Sequence, residues 1–111
     1  KQLGSNANDN GRGVTIDSLS NIYVTGSTYG VMEDGVNYGQ NDIVLIKYNS
    51  SGTFQWTKQL GSTDEYGYGI TSGPANSIFI TGYTNGNLDG INNSGNYDMF
   101  LVKYDSNGIL Q

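Results

Sequence analysis

The chain writes one stretch twice. Ser20-Asn21-Ile22-Tyr23-Val24-Thr25-Gly26 returns 56 residues later as Asn76-Ser77-Ile78-Phe79-Ile80-Thr81-Gly82. The same shift carries Gly11-Arg12-Gly13-Val14-Thr15 onto Gly67-Tyr68-Gly69-Ile70-Thr71, and the run Asp42 to Tyr48 onto Asp98 to Tyr104. With 111 residues, a period of this length gives two units and no third. Two units make a small core.

The units read as strands. Apolar spacing of three and four residues is sustained nowhere, whereas runs such as Ile43 to Ile46 are short, β-branched and flanked by Asp or Asn. Seventeen Gly with abundant Asn, Ser and Thr supply tight turns, and nine Tyr suit strands. The first unit predicts strands over 12–17, 21–27, 42–48 and 53–60, with a turn at Ser18 to Ser20 and a long loop over 28–41. Ile43 to Ile46 is apolar on both faces and predicts a strand covered on both sides. Asn49-Ser50-Ser51-Gly52 predicts a hairpin turn with Gly52 at positive φ. Four antiparallel strands per repeat make an all-β fold, two four-stranded blades of a β-propeller. A β-solenoid is the rival, but its rungs are usually shorter and rarely carry a long loop each time. In an up-and-down sheet alternate connections emerge together. The loops leading into each blade (4–11, 61–67) and the long middle loops (28–41, 84–97) should therefore share one rim, and this long-loop rim is the expected working face.

Lys1-Gln2-Leu3-Gly4-Ser5 reappears as Lys58-Gln59-Leu60-Gly61-Ser62. Residues 1–4 are thus expected to be the end of the outer strand of a preceding blade, 5–61 the first blade, and 62–111 a second blade with its outer strand incomplete. The chain is expected to be a fragment of a larger propeller. Taken together, Lys58-Gln59-Leu60-Gly61, Gly67-Tyr68-Gly69-Ile70, Ser77-Ile78-Phe79-Ile80-Thr81-Gly82, Asp98 to Tyr104 and Asp105-Ser106-Asn107-Gly108 resemble the bacterial SBBP (seven-bladed beta-propeller) repeat family, over nearly the whole chain. The resemblance implies a propeller segment of a secreted or cell-surface bacterial protein and carries over no catalytic residue. The copies depart from each other at Val31 to Gly35 against Asn87 to Ile91, and at Asp17-Ser18-Leu19 against Gly73-Pro74-Ala75.

The chemistry available is narrow. Five basic against ten acidic residues, net −5, argue against nucleic acid, and no apolar run is long enough to span a bilayer. Without His or Cys there is no Ser-His-Asp or Cys-His arrangement and no ordinary zinc site. No catalytic residue, metal ligand or cofactor is assigned, and the expected function is a non-catalytic structural and interaction scaffold. Carboxylates such as Glu33 or Asp34 with Glu65 have no fixed separation to suggest a glycosidase. Asn85 to Gly90 imitates the opening of a calcium loop but lacks its closing Glu. The sharper candidate is a set of tyrosines, Tyr29, Tyr38, Tyr66, Tyr68, Tyr83 and Tyr97, in or beside the long-loop rim. Flat rings beside Asn and Asp suit a glycan or a polar protein surface, against the plainer reading that they pack over blade edges. Trp56 is expected to pack between blades. Gly26 and Gly82, Asp42 and Asp98, and Lys47 and Lys103 recur in both copies and are read as structural, Asp holding loop backbone and Lys reaching solvent or a neighbouring blade. Expected partners are a protein or glycan at the loop face and further blades, in the same chain or by self-association. A remaining alternative is the scaffold part of an enzyme whose catalytic groups lie on other blades.

Overall fold

A computed structural model describes residues 1–111. Strands β1 (Asp9–Ile16), β2 (Ile22–Thr28), β3 (Asp42–Tyr48) and β4 (Phe54–Leu60) form one antiparallel sheet in that order, and β5 (Glu65–Ser72), β6 (Ile78–Thr84) and β7 (Asp98–Tyr104) form a second. The only helical turn is a 3-10 turn at Pro74–Asn76. After β7 the chain turns back, with a bridge between Tyr104 and Leu110 and the Gln111 amide donating to the Lys103 carbonyl at 2.8 Å. No helix is long and apolar enough to cross a membrane.

The third strand has the limits its apolar pattern predicts, but the innermost strands begin earlier, at Asp9 and Glu65. Each contains a β-bulge, between Gly11 and Gly13 and between Gly67 and Gly69, so Arg12 and Tyr68 are extra residues without an opposite partner. Polar residues and Gly ahead of a bulge look like loop in a sequence, which is why the start is displaced. The bulge also explains the repeated Thr-Gly. A Cβ on Gly26 would overlap the Asn10 carbonyl oxygen, and one on Gly82 the Tyr66 carbonyl oxygen. The preceding threonine ties the other neighbour: Thr25 Oγ1 donates to Val44 O at 2.9 Å and Thr81 Oγ1 to Phe100 O at 2.8 Å. One Thr-Gly pair thus holds the second strand to the strands on both sides.

The main core lies between the blades. Tyr23, Ile43 and Leu45 of the first blade pack with Ile78, Ile80, Leu88, Val102 and Tyr104 of the second, and Trp56, Leu60, Ile70, Phe100 and Leu110 close the edges. Polar ties cross the same junction. Ser72 Oγ donates to the Ile16 carbonyl at 2.8 Å, Ser18 Oγ to Asn76 Oδ1 at 2.6 Å, and Lys47 Nζ to the Ser106 carbonyl at 2.8 Å. On the far side of the first blade a smaller cluster of Met32, Val44 and Ile46 gathers Leu3, Val24, Tyr48 and Phe54. Ile43 to Ile46 is therefore covered on both faces, as its pattern requires.

The two kinds of connection collect on opposite rims. The Tyr29 amide meets the Asn8 carbonyl, and the Asn85 amide the Asp64 carbonyl, joining each middle loop to the loop that leads into its blade. At the other rim the hairpin turns repeat: Asn49 Oδ1 accepts from the Ser51 and Thr53 amides, and Asp105 Oδ1 from the Asn107 and Ile109 amides. Gly52 and Gly108 supply the positive φ, 77° and 78°, that these turns need.

Candidate functional site

Five of the six tyrosines meet. Tyr66 lies opposite Tyr83 across β5 and β6, with ring centroids 4.9 Å apart. Tyr68 stacks on Tyr83 at 5.4 Å, and Tyr97 meets Tyr83 edge-on at 5.2 Å. Tyr29 reaches over from the first blade, its hydroxyl 3.3 Å from that of Tyr66. The Arg12 guanidinium lies 4.9 Å from the Tyr68 ring centre, so the two bulge residues touch across the innermost strands. Tyr38 stands apart: its amide donates to Asp42 Oδ2 at 2.7 Å, and its ring is exposed. Tyr66 and Tyr68 lie in β5, which begins at Glu65, and Tyr83 lies near the end of β6.

Phenol pairing sets the electrostatics of the cluster. The hydrogen bond with Tyr68 is the first cause that pushes Tyr83 up to about 12, and the bond with Tyr29 raises Tyr66 as well. Tyr29, Tyr68 and Tyr97 keep substantial exposed surface. Chemically the patch offers aromatic faces, phenol hydroxyls and one guanidinium, which suits a polar ligand with C–H faces.

Trp56 meets Tyr23 edge-on at 6.1 Å in the junction and lies against Gly108 of the second blade. Lys47 sits over Tyr23 and Trp56 on its way to Ser106, and Lys103 over Phe79. Asp42 accepts the Tyr38 amide, and Asp98 the Ser94 amide at 2.6 Å, each closing the end of a middle loop. In the loop at 85–90, Asn87 Oδ1 is taken by the Asn93 amide while Leu88 is buried in the core. Asp89 is exposed in a turn at positive φ.

Glu65 is not a free loop carboxylate. It is fully buried, accepting from the Ser62 amide at 2.7 Å, Ser62 Oγ at 2.6 Å and Thr84 Oγ1 at 2.8 Å. Asp9 makes the same clasp in the first blade, with the Ser5 amide at 2.7 Å and the Thr28 hydroxyl. This device went unread in the sequence although a signal existed. Asp9 and Glu65, and Thr28 and Thr84, are related by the same 56-residue shift. Glu65 is instead neighbour to Asp42. An ideal Cβ on Gly61 would overlap Asp42 Oδ1 and come within 2.8 Å of Glu65 Oε2. Burial, with the Glu65 charge adding to it, raises the Asp42 carboxyl above its ordinary value against hydrogen bonds from Tyr38 and Gln59.

No curated protein matches the chain. The Beta-propeller repeat family SBBP matches at residues 1–31 and again at 55–89, one match in each unit of the repeat. Two matches over more than half of the chain, the first spanning β1 and β2 and the second running from β4 of the first sheet through β5 and β6 of the second, place the protein: it belongs to the SBBP beta-propeller repeat family.

Proposed function

We propose that the chain is a non-catalytic scaffold segment of a bacterial secreted or cell-surface protein, whose blade faces take further blades and whose long-loop rim meets a partner. The observation that carries this reading is the identity of pattern between the joined and the free faces. The free face of the second blade presents Phe79, Thr81, Met99, Leu101 and Lys103, the repeat equivalents of Tyr23, Thr25, Ile43, Leu45 and Lys47 that form the joined face of the first. Met99 and Leu101 are 92% and 71% exposed, where Ile43 and Leu45 are 2% and 1%. At the other end, Val24, Met32, Ile46 and Tyr48 are the equivalents of Ile80, Leu88, Val102 and Tyr104, and they line or border a groove of about 410 Å³. Each free face repeats one half of the junction and lacks the other half. The test is to add that half. Asn49 to Gln55 aligns with Asp105 to Gln111, so a second copy of residues 56–111 joined after Gln111 continues the repeat in register. Covering Met99 and Leu101 should raise the melting temperature by roughly 5–10 °C. A three-blade chain melting no higher than the parent would contradict the reading.

A second reading, a glycan site, is favoured by the meeting of Tyr29, Tyr66, Tyr68, Tyr83 and Tyr97 beside Arg12. The patch has two flanks. Tyr83 and Tyr97 stand at the repeat positions of Ser27 and Asn41, which are buried in the first junction, so a following blade would compete for that flank. Tyr29 and Tyr68 remain on the rim side. In a glycan array followed by calorimetry, Tyr68→Ala should weaken any bound sugar at least about tenfold, the loss of one stacking ring. Equal binding by the variant would remove this reading.

A further inference from the structure

Of the nine tyrosines, five have another tyrosine for a neighbour. The other four are placed differently: Tyr23 is buried with its hydroxyl on Asp17, Tyr48 packs against Phe54, Tyr104 is buried in the core, and Tyr38 stands alone on the surface. Within the five, the pairs differ in how they meet. Tyr68 lies at 25° to Tyr83, so that faces touch, and Tyr97 meets Tyr83 at 89°. Tyr29 and Tyr66 meet instead through their hydroxyl ends, 3.3 Å apart. The ring carbons beside each hydroxyl therefore flank the contact. This pair also joins the blades, since Tyr29 directly follows β2 of the first sheet and Tyr66 is held within β5 of the second. Tyr29 is 44% exposed, so a reagent in solution reaches it.

We propose that Tyr29 and Tyr66 are an oxidative cross-linking site, coupling to dityrosine across the junction under a one-electron oxidant of the peroxidase class, with hydrogen peroxide as the final electron acceptor. Each phenol gives up one electron and its proton. The two radicals join through a carbon–carbon bond between Cε atoms ortho to the hydroxyls, and the hydrogens on the joined carbons pass to the phenoxyl oxygens, restoring two phenols. The chain loses two hydrogens in all, while the peroxide takes up two electrons and two protons and leaves as two waters. Little else in the chain competes. It has no Cys or His, Met32 is buried, and the exposed Met99 goes to its sulfoxide by a separate two-electron route. The remaining rings of the cluster serve the pair. Tyr83 lies 4.9 Å from Tyr66, 5.4 Å from Tyr68 and 5.2 Å from Tyr97, so an electron lost from an exposed ring is replaced through these contacts from Tyr66. The bond would tie the two blades on the rim opposite the Lys47 strap, and it stands whether or not the tyrosines bind a glycan.

The test is to treat the full 111-residue chain, dilute and at neutral pH, with a peroxidase and hydrogen peroxide, and to read dityrosine fluorescence, intact mass and a tryptic map. Cleavage after Lys and Arg leaves Tyr29 in the peptide 13–47 and Tyr66 in the peptide 59–103. The expected product is a single chain lighter by two hydrogens, with these two peptides joined and fragmentation placing the bond at Tyr29 and Tyr66. Tyr29→Phe, which removes one exposed hydroxyl, should keep the circular dichroism of the parent and lose the joined peptide, whereas Tyr38→Phe should form it as the parent does. The cross-linked chain should melt at least about 5 °C higher than the untreated one, because the bond restricts the unfolded chain. Oxidation that couples free tyrosine in the same tube but does not join the two peptides would overturn the proposal. So would bonds formed between chains alone, or an equal yield of the joined peptide from Tyr29→Phe. An unchanged melting temperature in the coupled chain would overturn the claim that the bond ties the junction.

Discussion

Asp17 carries the tight turn of the first blade almost alone. Its Oδ1 accepts the Leu19 and Asn21 amides, both at 2.9 Å, and its Oδ2 the Asn21 side-chain amide and the Tyr23 hydroxyl, both at 3.0 Å. Burial pushes this carboxyl up, but the donors from Asn21, Leu19 and Tyr23 together outweigh it and hold the pKa below its ordinary 3.8. A folded pKa below the unfolded one means that the contribution is full above the unfolded value and is lost as pH falls through the folded one. Asp17→Ala should cost about 2–3 kcal/mol at neutral pH, since it orphans the Tyr23 hydroxyl in the core. Urea titrations at pH 7 and pH 3 check this: the gap between variant and parent should narrow at the lower pH, and a constant gap would contradict it. The second blade has no such residue. Its turn runs through Gly73-Pro74-Ala75, with Ser77 Oγ donating to the Pro74 carbonyl at 2.6 Å. That difference is visible in the repeat alignment. The clasp of Asp9 and Glu65 was harder to read, because an acid beside Ser and Gly has the composition of any solvated loop and shows its role only when burial is known.

Strands differ in how openly they declare themselves. β3 is legible to the residue because Ile43 to Ile46 has two apolar faces, and both are used. β1 and β5 are not, since a bulge breaks the alternation that marks a strand and leaves Arg12 and Tyr68 pointing where no pattern predicts. The tyrosine patch inherits that difficulty. Its residues are apparent in the sequence, but their meeting depends on the bulge and on register across β5 and β6. β4 is legible through Trp56, whose ring covers Tyr23 and reaches Gly108 of the other blade. Trp56→Ala should therefore loosen the junction as well as its own sheet, costing about 3 kcal/mol in denaturant unfolding. A loss under about 0.5 kcal/mol, the size of an ordinary surface change, would show that the ring is not part of the core.

The whole molecule is a junction with two unsatisfied faces. Two blades share the core of Tyr23, Leu45, Ile80 and Tyr104, and each presents outward the repeat equivalents of one half of that junction. One free face should fit the other on a second copy, head to tail, with Lys103 standing where Lys47 stands and the Ser50 carbonyl where that of Ser106 receives it. Repeat proteins gain stability from each added neighbour in this way, and rings follow when the rotation closes. The direct measurement is solution mass by light scattering across a range of concentrations, with circular dichroism on the same sample, for the parent chain and for Leu101→Asp. A folded chain whose mass rises with concentration, and a variant that stays folded but remains at the monomer mass, is the expected result. A parent chain that is folded and monomeric at every concentration would contradict the claim that its free faces are docking surfaces for blades of its own kind.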